Sequence, residues 1–125
     1  MKLSILIPMF NEEATLEKII GRVFAVDYGV DDLEVVIVDD CSTDTSFDVA
    51  QKISKNNPDV TIARHEKNQG KGAAIRTAMK AATGDVMVIQ DADLEYDPGD
   101  IPSLVSLIQR DIADVVFGSR FSSSG

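Results

Sequence analysis

Basic residues are scarce in this 125-residue sequence: 12 Lys and Arg stand against 21 Asp and Glu, giving a net charge of −9 at neutral pH. Nonspecific attachment to a nucleic-acid duplex needs clustered Lys and Arg, so nucleic acid is excluded as the expected partner. Cysteine is nearly absent. With Cys41 alone, no internal disulfide and no cysteine-based zinc site can form, which suits a reducing cytosol and points to a cytoplasmic protein. Long apolar runs are missing too, since no stretch reaches the roughly 18 residues of a spanning helix. The N-terminal run Leu3 to Ile7, preceded by Lys2, is stopped by Pro8 before any signal-length apolar core or cleavage site appears. Internal repeats and low-complexity linkers are also lacking. What is present is a 44% hydrophobic fraction, enough to fill one core.

That hydrophobic content is arranged in alternating patterns. Short, β-branched, nearly continuous apolar runs at Leu3 to Pro8, Glu34 to Asp39, Val60 to Arg64, Asp85 to Gln90 and Asp114 to Phe117 read as strands buried on both faces. Between them, Leu16, Ile19, Ile20 and Val23, then Ala74, Ile75, Ala78, Met79 and Ala82, recur at helical spacing; Ser46 to Lys55 and Ile101 to Arg110 fill the other gaps. Repeated β-α-β order predicts an α/β fold, a three-layer α/β/α Rossmann-like arrangement around a mainly parallel sheet. Ligands then belong at the strand C-terminal ends. The last strand candidate has no helix after it, and Ser122 to Gly125 is loop-like. The expectation is a truncated chain, with residues 1–121 as one functional half and 122–125 as a loop or tail.

Polar residues gather where the strands end: Asn11, Glu12 and Glu13 after the first, Asp39 and Asp40 after the second, Asp91 and Asp93 after the fourth. Side chains two apart on extended backbone point the same way, so Asp91 and Asp93 can converge on one cation. Hard carboxylate oxygens favour Mg²⁺ or Mn²⁺, and Mg²⁺ is commonly held by one or two carboxylates plus substrate phosphates. The same acidic pair also reads as a strand terminator or helix cap. Asp39 and Asp40 likewise suit an Asx turn, Thr43 or Asp44 a helix start, and Asn11 to Glu13 the positive end of a helix dipole. Gly70-Lys71-Gly72 resembles a phosphate loop but fails the Walker A pattern, because His65 and Gly72 stand where Gly and a hydroxyl are required. Gly residues opening a helix still leave N–H groups for an anion, and Lys71 adds positive charge there. Neither His65 nor Cys41 is assigned a chemical role.

Together these blocks resemble the family 2 glycosyltransferases of the A-type nucleotide-sugar-binding fold. The matching stretches are Ser4 to Glu13, Val36 to Asp44, Asn68 to Gly72, Asp85 to Asp93 and Gly118 to Phe121. The run Asp91 to Pro98, with Gly118 to Phe121, is most similar to the dolichyl- or polyprenyl-phosphate mannosyl- and glucosyltransferase branch. The resemblance implies that Pro8, Phe10 and Glu12 hold the nucleotide base and ribose, with Phe10 in place of a frequent Tyr, and that Ile37 and Asp39 contact the base. It implies that Asp91, Ala92 and Asp93 bind the diphosphate, Asp91 and Asp93 also holding the Mg²⁺ or Mn²⁺ and carrying catalysis. Glu95, where the branch often has Gln, is placed at the sugar, and Arg120 near the donor phosphates or acceptor. The activity implied is metal-assisted inverting transfer of a sugar from GDP-mannose or UDP-glucose to a polyprenyl phosphate at a membrane surface. This chain would be the donor half, inactive alone, membrane-associated when full length and able to form a homo-oligomer.

Other readings stay open on the residues. A phosphoacceptor receiver domain also places an acidic pair after a strand beside Mg²⁺, although here a complete β-α unit precedes that pair. A nucleotide-binding module without activity would share the same donor residues.

Overall fold

The computed structural model describes residues 1–92 and 97–109. Strand β1 (Lys2–Met9) leads to helix α1 (Leu16–Ala25), then β2 (Asp32–Asp39), α2 (Ser46–Asn56), β3 (Val60–Arg64), α3 (Lys71–Ala81) and β4 (Val86–Ile89); a 3₁₀ turn at Pro98–Asp100 opens α4 (Ile101–Gln109). All strand pairs are parallel, in the order β3-β2-β1-β4. The expected fifth strand, Asp114 to Phe117, and the tail from Ser122 lie outside the described residues.

The continuous apolar runs become strands because both faces of the sheet are covered. Leu3, Ile5, Ile7 and Met9 of β1, with Val35 and Ile37 of β2, pack against Leu16, Ile19 and Val23 of α1 and Ala50 of α2. Leu6, Val36, Val38 and Ile89 point to the other face, under Ala74 and Ala78 of α3. Successive strand residues alternate sides, so the two clusters interleave along each strand. The result is the expected three-layer α/β/α arrangement.

This strand order locates the site. Going from β1 to β3 the sheet grows in one direction, and β4 then returns to the far side of β1. Opposite-going crossovers open a crevice beyond the strand C-termini, here between β1 and β4. A receiver-type sheet runs 2-1-3-4-5, so the order β3-β2-β1-β4 removes the receiver reading. Among the described residues, no helix is long and apolar enough to cross a membrane.

Candidate functional site

At the crevice, loops from β1, β2 and β4 surround a cavity of about 220 Å³ whose lining includes Pro8, Phe10, Glu12, Lys71, Asp91 and Ala92. These expected site residues come together as the spacing of strand ends requires. Phe10 is 44% exposed, an aromatic ring held at the rim instead of in the core. Among the described residues, Met9, Asp40 and Ala74 also line it.

The loop after β1 is laced to the loop after β2. Asn11, at φ 53°, accepts at Oδ1 from Thr43 N–H at 2.8 Å, while its own N–H donates to Ser42 Oγ at 2.9 Å. Glu12 N–H donates to Ser46 Oγ at 2.8 Å, and Glu13 accepts from Thr45 N–H at 2.9 Å. Thr45 is the residue that precedes α2, and of the two expected starts it is Asp44 that bonds the helix: its Oδ1 accepts from Ser46 N–H at 2.8 Å. Burial would raise the Asp44 carboxyl, but the bonds from Ser46 and from Glu13 N–H outweigh it and hold it below its ordinary value. A second tether reaches the segment after β4: the Thr15 hydroxyl lies 2.6 Å from Ala92 O, and 2.9 Å from Glu12 Oε2.

Asp39 and Asp40 separate, one to each face of the sheet. Asp40 is 4% exposed and accepts from Gln69 N–H, Gly70 N–H and the His65 Nδ1 position, each at 2.8 Å; His65 Nε2 lies 2.7 Å from Thr77 Oγ1. Burial pushes the Asp40 carboxyl up, yet those donors prevail and its pKa is lowered. The N–H groups of Gln69 and Gly70, expected to be open to an anion, are therefore taken by Asp40. His65, left without a role by the sequence, is the strut between Asp40 and α3. Asp39 is 1% exposed; its Oδ1 accepts from Ser42 N–H at 3.1 Å and from the Ser42 hydroxyl. Its Oδ2 is buried without a hydrogen bond, although Arg64 Nε stands 3.4 Å away as an ion-pair partner and stacks 4.5 Å over the Phe47 ring.

Lys71, the first residue of α3, reaches across the cavity to place its ammonium 2.5 Å from Asp91 Oδ1. Ile37 is fully buried between the sheet and the helices, in register with Ile7 and Ile62, and its side chain packs in the core. Asp93, Glu95 and Arg120 lie outside the described residues. Asp40 was missed although the signal was present: in an Asp-Asp pair ending a strand the two side chains must face opposite sides, so one necessarily faces α3.

Among the described residues no three His, Cys, Asp or Glu side chains form a metal-binding group. Asp91 in an open cavity, with no such group around it, fits Mg²⁺ or Mn²⁺ held jointly with phosphate and water, and does not fit an all-protein cage.

Residues 4–125 match the family model for glycosyl transferase family 2. The chain belongs to this family. The family 2 chain is 38% identical over its whole length to a dolichol-phosphate mannosyltransferase of Pyrococcus furiosus, of which it covers 35%. Among solved structures it is similar to the mannosyltransferase PcManGT of Pyrobaculum calidifontis in complex with GDP-Man and Mn²⁺ (TM-score 0.67, 34% identity, 73% of this chain and 27% of that one). It is also similar to S. aureus TarS 1–349 in complex with UDP (TM-score 0.74, 27% identity, 88% of this chain and 32% of that one). The family 2 chain thus spans about a third of the length of these relatives. The A-type glycosyltransferase fold expected from the sequence is the fold observed.

Proposed function

We propose that the chain is the donor-binding half of a glycosyltransferase that moves a sugar from a nucleoside diphosphate to a polyprenyl phosphate. The observation that carries this reading is the convergence of Phe10, Glu12, Lys71 and Asp91 on one cavity at the β1/β4 crevice. An exposed aromatic ring offers a face for a base. The resemblance places Asp39 at the base, and its buried Oδ2 has Arg64 Nε at 3.4 Å as an ion-pair partner and no hydrogen bond. Asp91, with Asp93, would hold Mg²⁺ or Mn²⁺, whose positive charge supplies Lewis-acid stabilisation to the departing diphosphate. Lys71 adds a second cation there. Displacement at the anomeric carbon with inversion follows, and a polyprenyl phosphate, already anionic, needs no general base to attack. Similarity to a dolichol-phosphate mannosyltransferase supports such an acceptor, and similarity to solved complexes with GDP-Man and with UDP supports both GDP- and UDP-linked donors. Glu95 at the sugar and Arg120 at the phosphates belong to the same proposal.

Calorimetric titration of the chain with UDP, GDP, UDP-glucose and GDP-mannose, each with Mn²⁺ and with EDTA, tests it. One nucleotide class is expected to bind only with metal, and Asp91→Asn is expected to weaken it at least about tenfold, the loss of one charged contact. If the folded chain binds none of these ligands with Mn²⁺, the reading fails.

A further inference from the structure

The ion pair between Lys71 and Asp91 raises a question that the donor-site reading leaves open: what neutralises Asp91 before a donor arrives. Asp91 Oδ1 is 2.5 Å from Lys71 Nζ, with the carboxylate side chain 13% exposed and the lysine side chain 59% exposed. The base of the lysine is fixed, because Asp40 holds the Gln69 and Gly70 N–H groups at 2.8 Å immediately before α3. Beyond that base the side chain is a flexible four-carbon stem that carries a compact charge with three donors to Asp91. Glu12 and Asp40 line the same cavity, so Lys71 sits amid negative charge.

Resting on the donor-site reading, we propose that Lys71 is a placeholder cation: it occupies Asp91 in the empty site, yields that oxygen to the divalent ion and turns to the diphosphate. A cation held this close must be displaced or crowded by an incoming metal, at a Coulomb cost that grows as the carboxylate is buried. A diphosphate removes that cost by accepting the ammonium itself. Metal and nucleotide therefore favour each other's binding, and by linkage the coupling is equal in both directions. No bond is made or broken in this exchange.

The test compares Mn²⁺ alone, followed by the electron paramagnetic resonance signal of the free ion, with Mn²⁺ plus UDP or GDP, followed by calorimetry. In Lys71→Met, Mn²⁺ alone is expected to bind about tenfold more tightly than in wild type, while the nucleotide in the presence of Mn²⁺ binds about tenfold more weakly. These opposite signs separate the exchange from a structural role, which would weaken both. Lys80→Met, at the far end of the same helix, removes an equal charge and is expected to leave Mn²⁺ affinity unchanged within about twofold. If Lys71→Met leaves Mn²⁺ affinity unchanged or lowers it, or Lys80→Met raises it equally, the placeholder is overturned while nucleotide binding by wild type keeps the donor-site reading standing. If wild type binds neither UDP nor GDP with Mn²⁺, the donor-site reading falls and the proposal falls with it.

Discussion

Cys41 takes φ 62°, in the left-handed region, at the turn that joins β2 to α2. An L-residue there costs about 1–2 kcal/mol, whereas glycine is unstrained but loses about 0.5–1 kcal/mol of chain entropy on folding. Cys41→Gly is therefore expected to be neutral or to stabilise by up to about 1 kcal/mol, and the β-branched Cys41→Val to destabilise by about 2 kcal/mol. Urea midpoints decide it; a Val variant as stable as wild type would show that the turn relaxes freely. Asp40 supports a second expectation, since its lowered pKa adds stability that is fully present above the ordinary carboxylate value and lost as pH falls below that value through the lowered pKa of the folded state. Asp40→Asn should cost about 2 kcal/mol at neutral pH, with the gap to wild type closing below about pH 4. A gap that stayed constant down to about pH 3 would place the effect in packing instead of charge. At this scale the sequence was least informative. Asp91, Lys71 and Glu12 were legible because strand ends announce themselves, but the Asp40–His65 bond joins residues 25 apart that only the β2-β3 pairing brings together.

Between elements, the strands were the most legible feature, because a run buried on both faces needs no partner to be recognised. β3 matches its expected bounds and β1, β2 and β4 differ by one or two residues at their ends. The face of α3 was only partly legible. Ala74 and Ala78 are buried while Met79, counted with the apolar stripe, is 43% exposed, since small side chains let the helix lie close to β1 and β2 and leave the larger one outside. Nothing local foretold the polar lock at the opposite end of the sheet from the cavity. There Glu34 lies 2.6 Å from the Ser4 hydroxyl and 2.5 Å from Thr83 N–H, and Gly84 N–H donates to Ser4 Oγ at 2.9 Å. Burial would raise Glu34, but Ser4, Thr83 and Lys2 hold its carboxyl below the ordinary range. A Cβ at Gly84 would fall 2.9 Å from Ser4 N and 3.0 Å from Lys2 O, both backbone atoms that cannot move aside. Gly84→Ala is thus expected to destabilise by about 1–3 kcal/mol in denaturant unfolding. Because the lock is remote from the crevice, nucleotide affinity of the folded variant should match wild type; a parallel loss of affinity would mean the two ends of the sheet are coupled.

For the whole molecule, the size of the cavity sets what this length of chain can recognise. At about 220 Å³ it lies below the roughly 300–1,000 Å³ of sites that enclose a drug-sized ligand, and a nucleoside diphosphate sugar is larger still. The lining residues supply a ring, two carboxylates beside Asp91 and one ammonium, a set suited to a base and a diphosphate. A sugar is read by several hydroxyl contacts that the described wall does not offer. The relatives are about three times longer than the matched segment, and under the proposed function sugar and acceptor recognition would draw on such further length. The chain alone is therefore expected to bind UDP or GDP about as tightly as the corresponding nucleotide sugar, within about threefold, and to transfer no sugar to a polyprenyl phosphate. A version extended to the length of the relatives should bind its own nucleotide sugar at least about tenfold more tightly than competing ones, and should turn over. Calorimetry on both lengths and a transfer assay with a radiolabelled sugar donor check this. Strong sugar discrimination by the 125-residue chain would show that residues 93–96 and 110–125 already complete the pocket.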